Sequence, residues 1–247
     1  MSAAGLEFLR PDWDVPGVQA AVSTRLGGCS PPPYDSLNLA DHVGDDPCLV
    51  RQNRVRLRGA LGLPARPLWL TQEHGTRVVD AAEAAPGARA DASFTCRPGV
   101  VCAVLTADCL PVFFAARDGS AVAVAHAGWR GLLAGVLEAT LDAMALPGPA
   151  VVAWLGPAIG PDAFEVGEEV RAAFVARQPQ AAEAFRPSPA GRWLADLYAL
   201  ARQRLAARGL HAVTGGGLCT WRDARRFYSY RRDGATGRMA SVIWRTP

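Results

Sequence analysis

Gly99-Val-Val-Cys-Ala-Val-Leu-Thr-Ala-Asp-Cys-Leu-Pro-Val-Phe-Phe-Ala115 is followed, after Ala116, by Arg117-Asp-Gly-Ser120 and Ala121-Val-Ala-Val-Ala-His126. These three apolar runs, at 99–105, 111–115 and 121–125, are too short for core helices and rich in Val and Phe. They read as buried strands. Asp-Gly between the second and third is a hairpin signal, so those two strands are antiparallel neighbours. Each run is apolar at nearly every position, which implies cover on both faces.

Working outward, Leu132, Leu133, Val136, Leu137, Thr140, Leu141 and Met144 form one stripe of a helix that starts after Gly131 and ends before Pro147-Gly148. Val151–Leu155 reads as a strand running into a Gly/Pro turn. Val166, Val170 and Phe174 mark a further helix, and Asp196 caps another that ends by Gly209. His211–Val213 and Ser241–Trp244 read as late strands. Upstream, Asp46-Pro47 is an N-cap with proline at the first helical position, and Val50, Arg54, Leu57 and Leu61 follow at helical spacing. Trp69-Leu70 opens a strand-like segment reaching His74, with Val78-Val79 beyond it. No repeat or long linker interrupts the chain, so residues 1–247 read as one domain. Strands and helices mix without strict alternation, and one strand pair is a tight hairpin. The expected class is α+β: a mixed sheet with helices packed outside.

Half of the 247 residues are hydrophobic and a fifth are charged, as in a globular enzyme. The net charge of +3 is too small to indicate nucleic acid or a membrane surface as partner. No apolar run approaches the roughly 18–20 residues of a membrane span. The start, Met-Ser-Ala-Ala-Gly-Leu-Glu-Phe-Leu-Arg, lacks the basic-then-apolar pattern of a signal peptide. With six cysteines, none in a Cys-x-x-Cys pair, a reducing cytoplasm is the expected setting. All 26 basic residues are arginine. That excludes Schiff-base lysine chemistry and a Walker-type phosphate lysine. Any phosphate contact must use arginine, backbone N–H groups or a metal.

Three polar side chains stand at the mouths of apolar segments: His74, Cys109 and His126. Two imidazoles and a thiolate can hold a metal with one coordination position open. Taken alone, His126 in its Ala127-Gly-Trp-Arg-Gly131 turn reads equally well as a structural histidine, and Cys109 as a small buried hydrophobe. Asp108, in the same apolar surroundings as Cys109, requires a partner. Cys109 and Asp108 are the candidate catalytic groups, with Glu73 a weaker alternative as proton shuttle. Arg130, near a helix start, is the first candidate for an anion, followed by Arg25 and Arg231. His42 and His211 read as a loop residue and a structural residue. Arg225–Gly234 combines four arginines with three aromatics, which suits a wall that stacks a planar ring and holds an anion.

In combination these residues resemble the laccase-domain, or YfiH-type, family of purine nucleoside enzymes. The resemblance runs along nearly the whole chain. It is carried by Ser23-Thr-Arg-Leu-Gly-Gly-Cys-Ser30, His42-Val-Gly-Asp-Asp46, Gln72-Glu-His-Gly75, Thr106-Ala-Asp-Cys-Leu-Pro111, His126-Ala-Gly-Trp-Arg-Gly131, Gly156-Pro-Ala-Ile-Gly160 and Phe227-Tyr-Ser-Tyr-Arg231. It implies a mixed β-sandwich flanked by helices, in α/β/β/α layers, and one zinc ion on His74, Cys109 and His126. It further implies phosphorolysis of adenosine, inosine and methylthioadenosine, together with adenosine deamination by zinc-activated water at purine C6. Editing of peptidoglycan precursors is the alternative among bacterial members. The expected partners are purine nucleosides and phosphate, and the oligomeric state is not readable. Copper is disfavoured: a multicopper oxidase needs on the order of ten histidines among its ligands, and this chain has four. A metal-free reading keeps Cys109 as a thiolate nucleophile activated by His74 or His126. A non-enzymatic reading makes the cleft a binding module for a nucleotide or a cell-wall precursor.

Overall fold

The computed structural model describes residues 5–246; the first four residues of the stretch read for a leader lie outside them. Four layers are stacked. A four-stranded antiparallel sheet runs in the order β1 (Phe8–Leu9), β2 (Val18–Ser23), β13 (Met239–Arg245), β5 (Val101–Thr106). A six-stranded mixed sheet runs in the order β12 (Val213–Gly215), β8 (Val151–Leu155), β6 (Leu110–Ala116), β7 (Val122–Ala127), β4 (Ala92–Thr95), β3 (Val78–Asp80). Its outer pairs, β12 with β8 and β3 with β4, are parallel and its inner pairs antiparallel.

The period of two in a strand explains why the runs at 99–125 are apolar throughout. Cys102 and Val104 of β5 meet Phe113 and Ala115 of β6 and Val122 and Val124 of β7 in the core between the sheets. The alternate residues of β5, Val101, Ala103 and Leu105, face helix α1 (Pro47–Leu61) through Leu57 and Leu61. The alternate residues of β6, Val112, Phe114 and Ala116, face the helical layer on the other side. That layer holds α2 (Trp129–Ala134), α3 (Val136–Met144), α4 (Glu168–Arg177) and α5 (Leu197–Ala206). The expected α/β/β/α order is therefore present. A small third sheet, β10 (Phe185–Pro187), β11 (Trp193–Ala195) and β9 (Glu165–Val166), lies beside it and was not foreseen.

Local signals account for several boundaries. Asp46 caps α1 by accepting from Cys48 N at 2.7 Å, and Gly62 ends the helix in the left-handed region. Asp196 caps α5 through Tyr198 N and Ala199 N. Other expectations need correction. The single helix expected after Gly131 begins at Trp129 and is broken at Gly135, whose φ of 110° no helix accommodates. The stripe survives because Leu132, Val136, Leu137, Leu141 and Met144 still face one core. The strand expected at 69–74 is an extended segment with isolated bridges at Leu68 and Thr71. There the Gln72 side chain takes the place of a ladder: Oε1 accepts from Leu105 N at 2.7 Å, and Nε2 donates to Leu105 O at 2.9 Å. Val166 belongs to β9 rather than to α4, and the strand expected at 211–213 runs from Val213 to Gly215, leaving His211 exposed. No helix of the described residues is long and apolar enough to cross a membrane.

Candidate active site and metal centre

β5 and β6 are consecutive but belong to different sheets, so Ala107-Asp108-Cys109 must cross from one to the other. The register of β6 with β7 pairs Leu110 with Ala127 and Pro111 with His126. Cys109, one step before Leu110, therefore comes opposite Gly128. A Cβ on Gly128 would lie 2.9 Å from Cys109 Sγ and 2.7 Å from His74 Cδ2, so only glycine lets the three groups close together. His74 Nε2 is 3.7 Å from Cys109 Sγ, and the rings of His74 and His126 meet edge-on at 4.8 Å. The donor atoms of His74, Cys109 and His126 all lie within 4.8 Å of one another.

Asp91, which sequence reasoning missed, organises both histidines. It precedes β4, whose pairing of Ala92 with Ala125 sets Asp91 across from His126. Its Oδ1 lies 2.8 Å from His126 Nδ1 and accepts from His74 N at 2.9 Å. Its Oδ2 accepts from Gly75 N at 2.7 Å and from Glu73 N at 3.2 Å. With Nδ1 of His126 engaged, Nε2 is left to face Cys109 and His74. Asp91 is fully buried. Burial alone would raise its pKa, but the hydrogen bonds from His126 and Gly75 hold it below the ordinary carboxylate value. The available signal was a carboxylate in Arg89-Ala-Asp-Ala-Ser93, a segment that leads into the core strand β4.

Burial also works against a charged Cys109, yet the charge of His126 and hydrogen bonds from His126 and His74 overcome it. The thiol is held down at about 6. His126 is correspondingly raised to about 9: burial opposes its charge, and the Cys109 thiolate and the Asp91 carboxylate outweigh burial. The two opposed shifts favour a thiolate beside a charged imidazole in the metal-free centre.

The residues fit a metal. A tetrahedral ion with bonds near 2.0–2.3 Å asks for donors about 3.3–3.8 Å apart; His74 Nε2 and Cys109 Sγ at 3.7 Å meet that spacing, and the widest pair, at up to 4.8 Å, would close by about 1 Å on the ion. The donor set is two imidazole nitrogens and an ionised sulfur, with a carboxylate behind one imidazole.

The triad opens into a cavity of about 520 Å³. Trp129, Phe164 and Tyr230 give its walls aromatic faces, and Arg130, Arg231 and Arg238 give it positive charge. Arg130 is exposed and lies over the Trp129 ring at 4.5 Å. Arg231 donates through Nη1 to Glu165 O at 2.8 Å and covers the Phe164 ring. Arg238 and Asp91 are the cavity and supporting residues that the sequence reading did not single out. His42, read as a loop residue, stands on the cavity wall.

Other expected site residues lie elsewhere or act differently. Arg25 is a correction: it does not line the cavity. Its Nε donates to Asp35 O at 2.7 Å, Nη1 to Ala224 O at 3.2 Å, and its plane lies 4.8 Å over Tyr228. Its Nη2 pairs with Asp35 Oδ1 at 3.1 Å, so the group is held against protein acceptors outside the cavity lining. Asp108 lines the cavity, but its oxygens are already engaged. Oδ1 accepts from Thr220 Oγ1 at 2.6 Å and Oδ2 from Arg231 N at 2.7 Å. Glu73 forms an exposed ion pair with Arg89. Within Arg225–Gly234, Phe227 and Tyr228 turn into the core between the sheets, and Tyr230 and Arg231 alone face the cavity.

Residues 19–246 match the family model described as multi-copper polyphenol oxidoreductase laccase. A Pseudomonas aeruginosa protein named purine nucleoside phosphorylase is 57% identical over 239 residues, covering 96% of this chain and 98% of the relative. A protein of Escherichia coli K12, named purine nucleoside phosphorylase YfiH, is 56% identical over 240 residues, with the same coverage of 96% and 98%. The crystal structure of a Neisseria meningitidis protein superposes with a TM-score of 0.93 at 53% identity, covering 97% of this chain and 99% of the other. That of YlmD from Geobacillus stearothermophilus gives 0.90 at 31% identity, covering 100% and 98%.

Proposed function

The chain belongs to the family described as multi-copper polyphenol oxidoreductase laccase, and on that premise we propose that it is a zinc-dependent purine nucleoside phosphorylase. The observation that carries this reading is one cavity that joins a His-Cys-His donor set, aromatic faces and three arginines. The relatives' names supply the substrate class. Adenosine, inosine and methylthioadenosine are the proposed nucleosides, and the products are the free base and the sugar 1-phosphate.

His74, Cys109 and His126 would hold the ion. Bound there, zinc would supply a Lewis acid able to polarise an acceptor on the substrate. Zinc is favoured over a copper cluster because four histidines cannot furnish a multicopper centre. Asp91 keeps His126 in the tautomer that presents Nε2 to the ion, and through the backbone of residues 73–75 it also holds His74 in place. The aromatic walls take the planar base, since Trp129 and Phe164 offer apolar faces within reach of the triad. The arginines draw phosphate toward the sugar. Phosphorolysis joins a phosphate oxygen to the anomeric carbon as the glycosidic C–N bond breaks, and the bonding pair leaves with the purine. Asp108 acts by position: it ties the Thr220 and Arg231 segments to the Cys109 turn.

Adenosine deamination is proposed at the same centre: water would add at purine C6 and the amino nitrogen would leave as ammonia, chemistry that a Lewis acid held by His74, Cys109 and His126 would promote. The low Cys109 pKa and its 3.7 Å approach to His74 favour one second reading, a metal-independent thiolate nucleophile. The test is a panel of nucleosides and peptidoglycan precursors, with and without phosphate, on metal-loaded and chelator-stripped protein. Base and sugar 1-phosphate formed only with phosphate and metal support the first reading. Full activity in stripped protein, with Cys109 trapped by a substrate-like electrophile, replaces it by the second.

A further inference from the structure

A second cavity of about 430 Å³ abuts the first and shares His42, Tyr230 and Arg238 with it; Thr236 also lines it. Arg238 is placed there by the main chain. It precedes β13, whose first residue, Met239, pairs with Thr106 at the end of β5, one step from the Cys109 turn. Its N–H donates to Asn38 Oδ1 at 3.0 Å. Before it, Gly237 packs so closely that a Cβ would fall 2.7 Å from Tyr228 Cζ. The backbone at Arg238 therefore has little freedom to shift.

The guanidinium is half-buried and incompletely used. Nη1 donates to Thr236 O at 2.8 Å and Gly237 O at 3.0 Å, and the plane lies 5.7 Å from the Tyr230 ring centre. Among the described residues it forms no ion pair, although its surroundings strip water from it and lower its pKa. Arg25, by contrast, pairs with Asp35 through both Nε and Nη2. A second unmet group lies beside it. Thr236 is 1% exposed, and its Oγ1 has no hydrogen-bond partner among the described residues. A desolvated cation and a buried hydroxyl, both short of acceptors, call for an anionic ligand with several oxygens. No carboxylate lines the annex, and the single one on the main cavity, Asp108, is already satisfied.

We propose that Arg238 and Thr236 form the seat of a phosphate group at the junction of the two cavities. Arg130 and Arg231 then guide the anion inward from the rim. The seat rests on the phosphorylase reading only for its role in turnover. Its ligand chemistry is a phosphate dianion, either free inorganic phosphate or the 5′-phosphate of a nucleotide.

The experiment measures binding and turnover separately on the metal-loaded full chain. Binding is followed by equilibrium dialysis with radiolabelled orthophosphate and by competition with inosine 5′-monophosphate. Turnover is followed as KM for phosphate against KM for inosine. Arg238→Gln should weaken one of the two phosphate ligands by roughly 10–100-fold, and Thr236→Val should weaken the same ligand several-fold. The ligand affected identifies the source. Metal content and unfolding temperature should stay near wild type and KM for inosine should change little, a split that a purely structural role would not produce. Added guanidinium should restore phosphate binding to Arg238→Ala. If Arg238→Gln fails to fold, Arg238→Lys and Thr236→Val carry the same comparison. Unchanged affinity for both phosphate ligands in folded variants overturns the seat. Loss of orthophosphate binding in Arg238→Gln, with no phosphate-dependent product from wild type, upholds the seat and refutes phosphorolysis. Phosphate-dependent turnover with an unchanged phosphate KM in Arg238→Gln does the reverse.

Discussion

The turn after β6 closes on itself: Asp118 Oδ1 accepts from Ser120 N at 2.9 Å, and Gly119 N donates to Ala116 O at 2.9 Å. The turn before β6 closes on remote chain, where the carboxylate of Asp108 receives Thr220 and Arg231. Asp108 holds φ at 98°, a strained value for a residue with a side chain, at a cost on the order of 1–3 kcal/mol. Its two long-range hydrogen bonds offset that cost. An aspartate in a turn between apolar strands can thus be a local cap or a clamp on the site, and the difference lies in whether the strands share a sheet.

The largest expected effect breaks the crossing turn at its tightest point. Gly128→Ala drives a methyl group between His74 and Cys109, so metal stoichiometry by elemental analysis should fall to near zero and activity to background. Stoichiometric metal in folded Gly128→Ala would contradict the assigned centre. Asp91→Asn should follow, with metal affinity lower by about 10–100-fold in a chelator competition. Asp108→Ala leaves a buried hydroxyl and a backbone N–H without their acceptor. It should cost about 2–4 kcal/mol in urea unfolding while retaining metal. A second variant separates clamp from proton donor: if Asp108→Asn abolishes turnover at wild-type stability and substrate affinity, Asp108 moves a proton.

Two thiols sharpen the contrast further. Cys109 is held at about 6 by its histidines, and Cys102 on β5 is pushed up to about 12 by burial. In metal-free protein, iodoacetamide should modify Cys109 with a rate that climbs through pH 6 and is flat above pH 7, because the thiolate is the reactive form. Cys102 should stay unmodified, and loading the metal should protect Cys109, as mass spectrometry of the two peptides would report. The smallest effect belongs to the local turn: Asp118→Ala, at an exposed position, should leave unfolding midpoint and activity at wild type.

Legibility followed the same division. The strands of 99–125, the caps at Asp46 and Asp196 and the stripe of α3 were readable because their causes lie within a few residues: period, cap and turn chemistry. Asp91, Arg238 and the satisfied state of Asp108 were not, since each depends on partners far away in the chain. Arg25 shows the converse error. It carries the right chemistry and sits in a family motif, but Asp35, Ala224 and Tyr228 occupy it.

By itself, then, the sequence determined the mixed α+β class, the three candidate donors His74, Cys109 and His126, and the shortage of histidine that disfavours a copper cluster. The strand and helix pattern and the histidine count follow from composition and short-range pattern, while the α/β/β/α layering and the metal-ligand set were implied by the family resemblance. The tertiary structure alone decided which arginines reach the cavity, which aspartate supports the histidines, and that β5 and β6 lie in different sheets. Register and sheet crossing bring residues together across 17 to 123 positions, and local propensity carries no record of that distance.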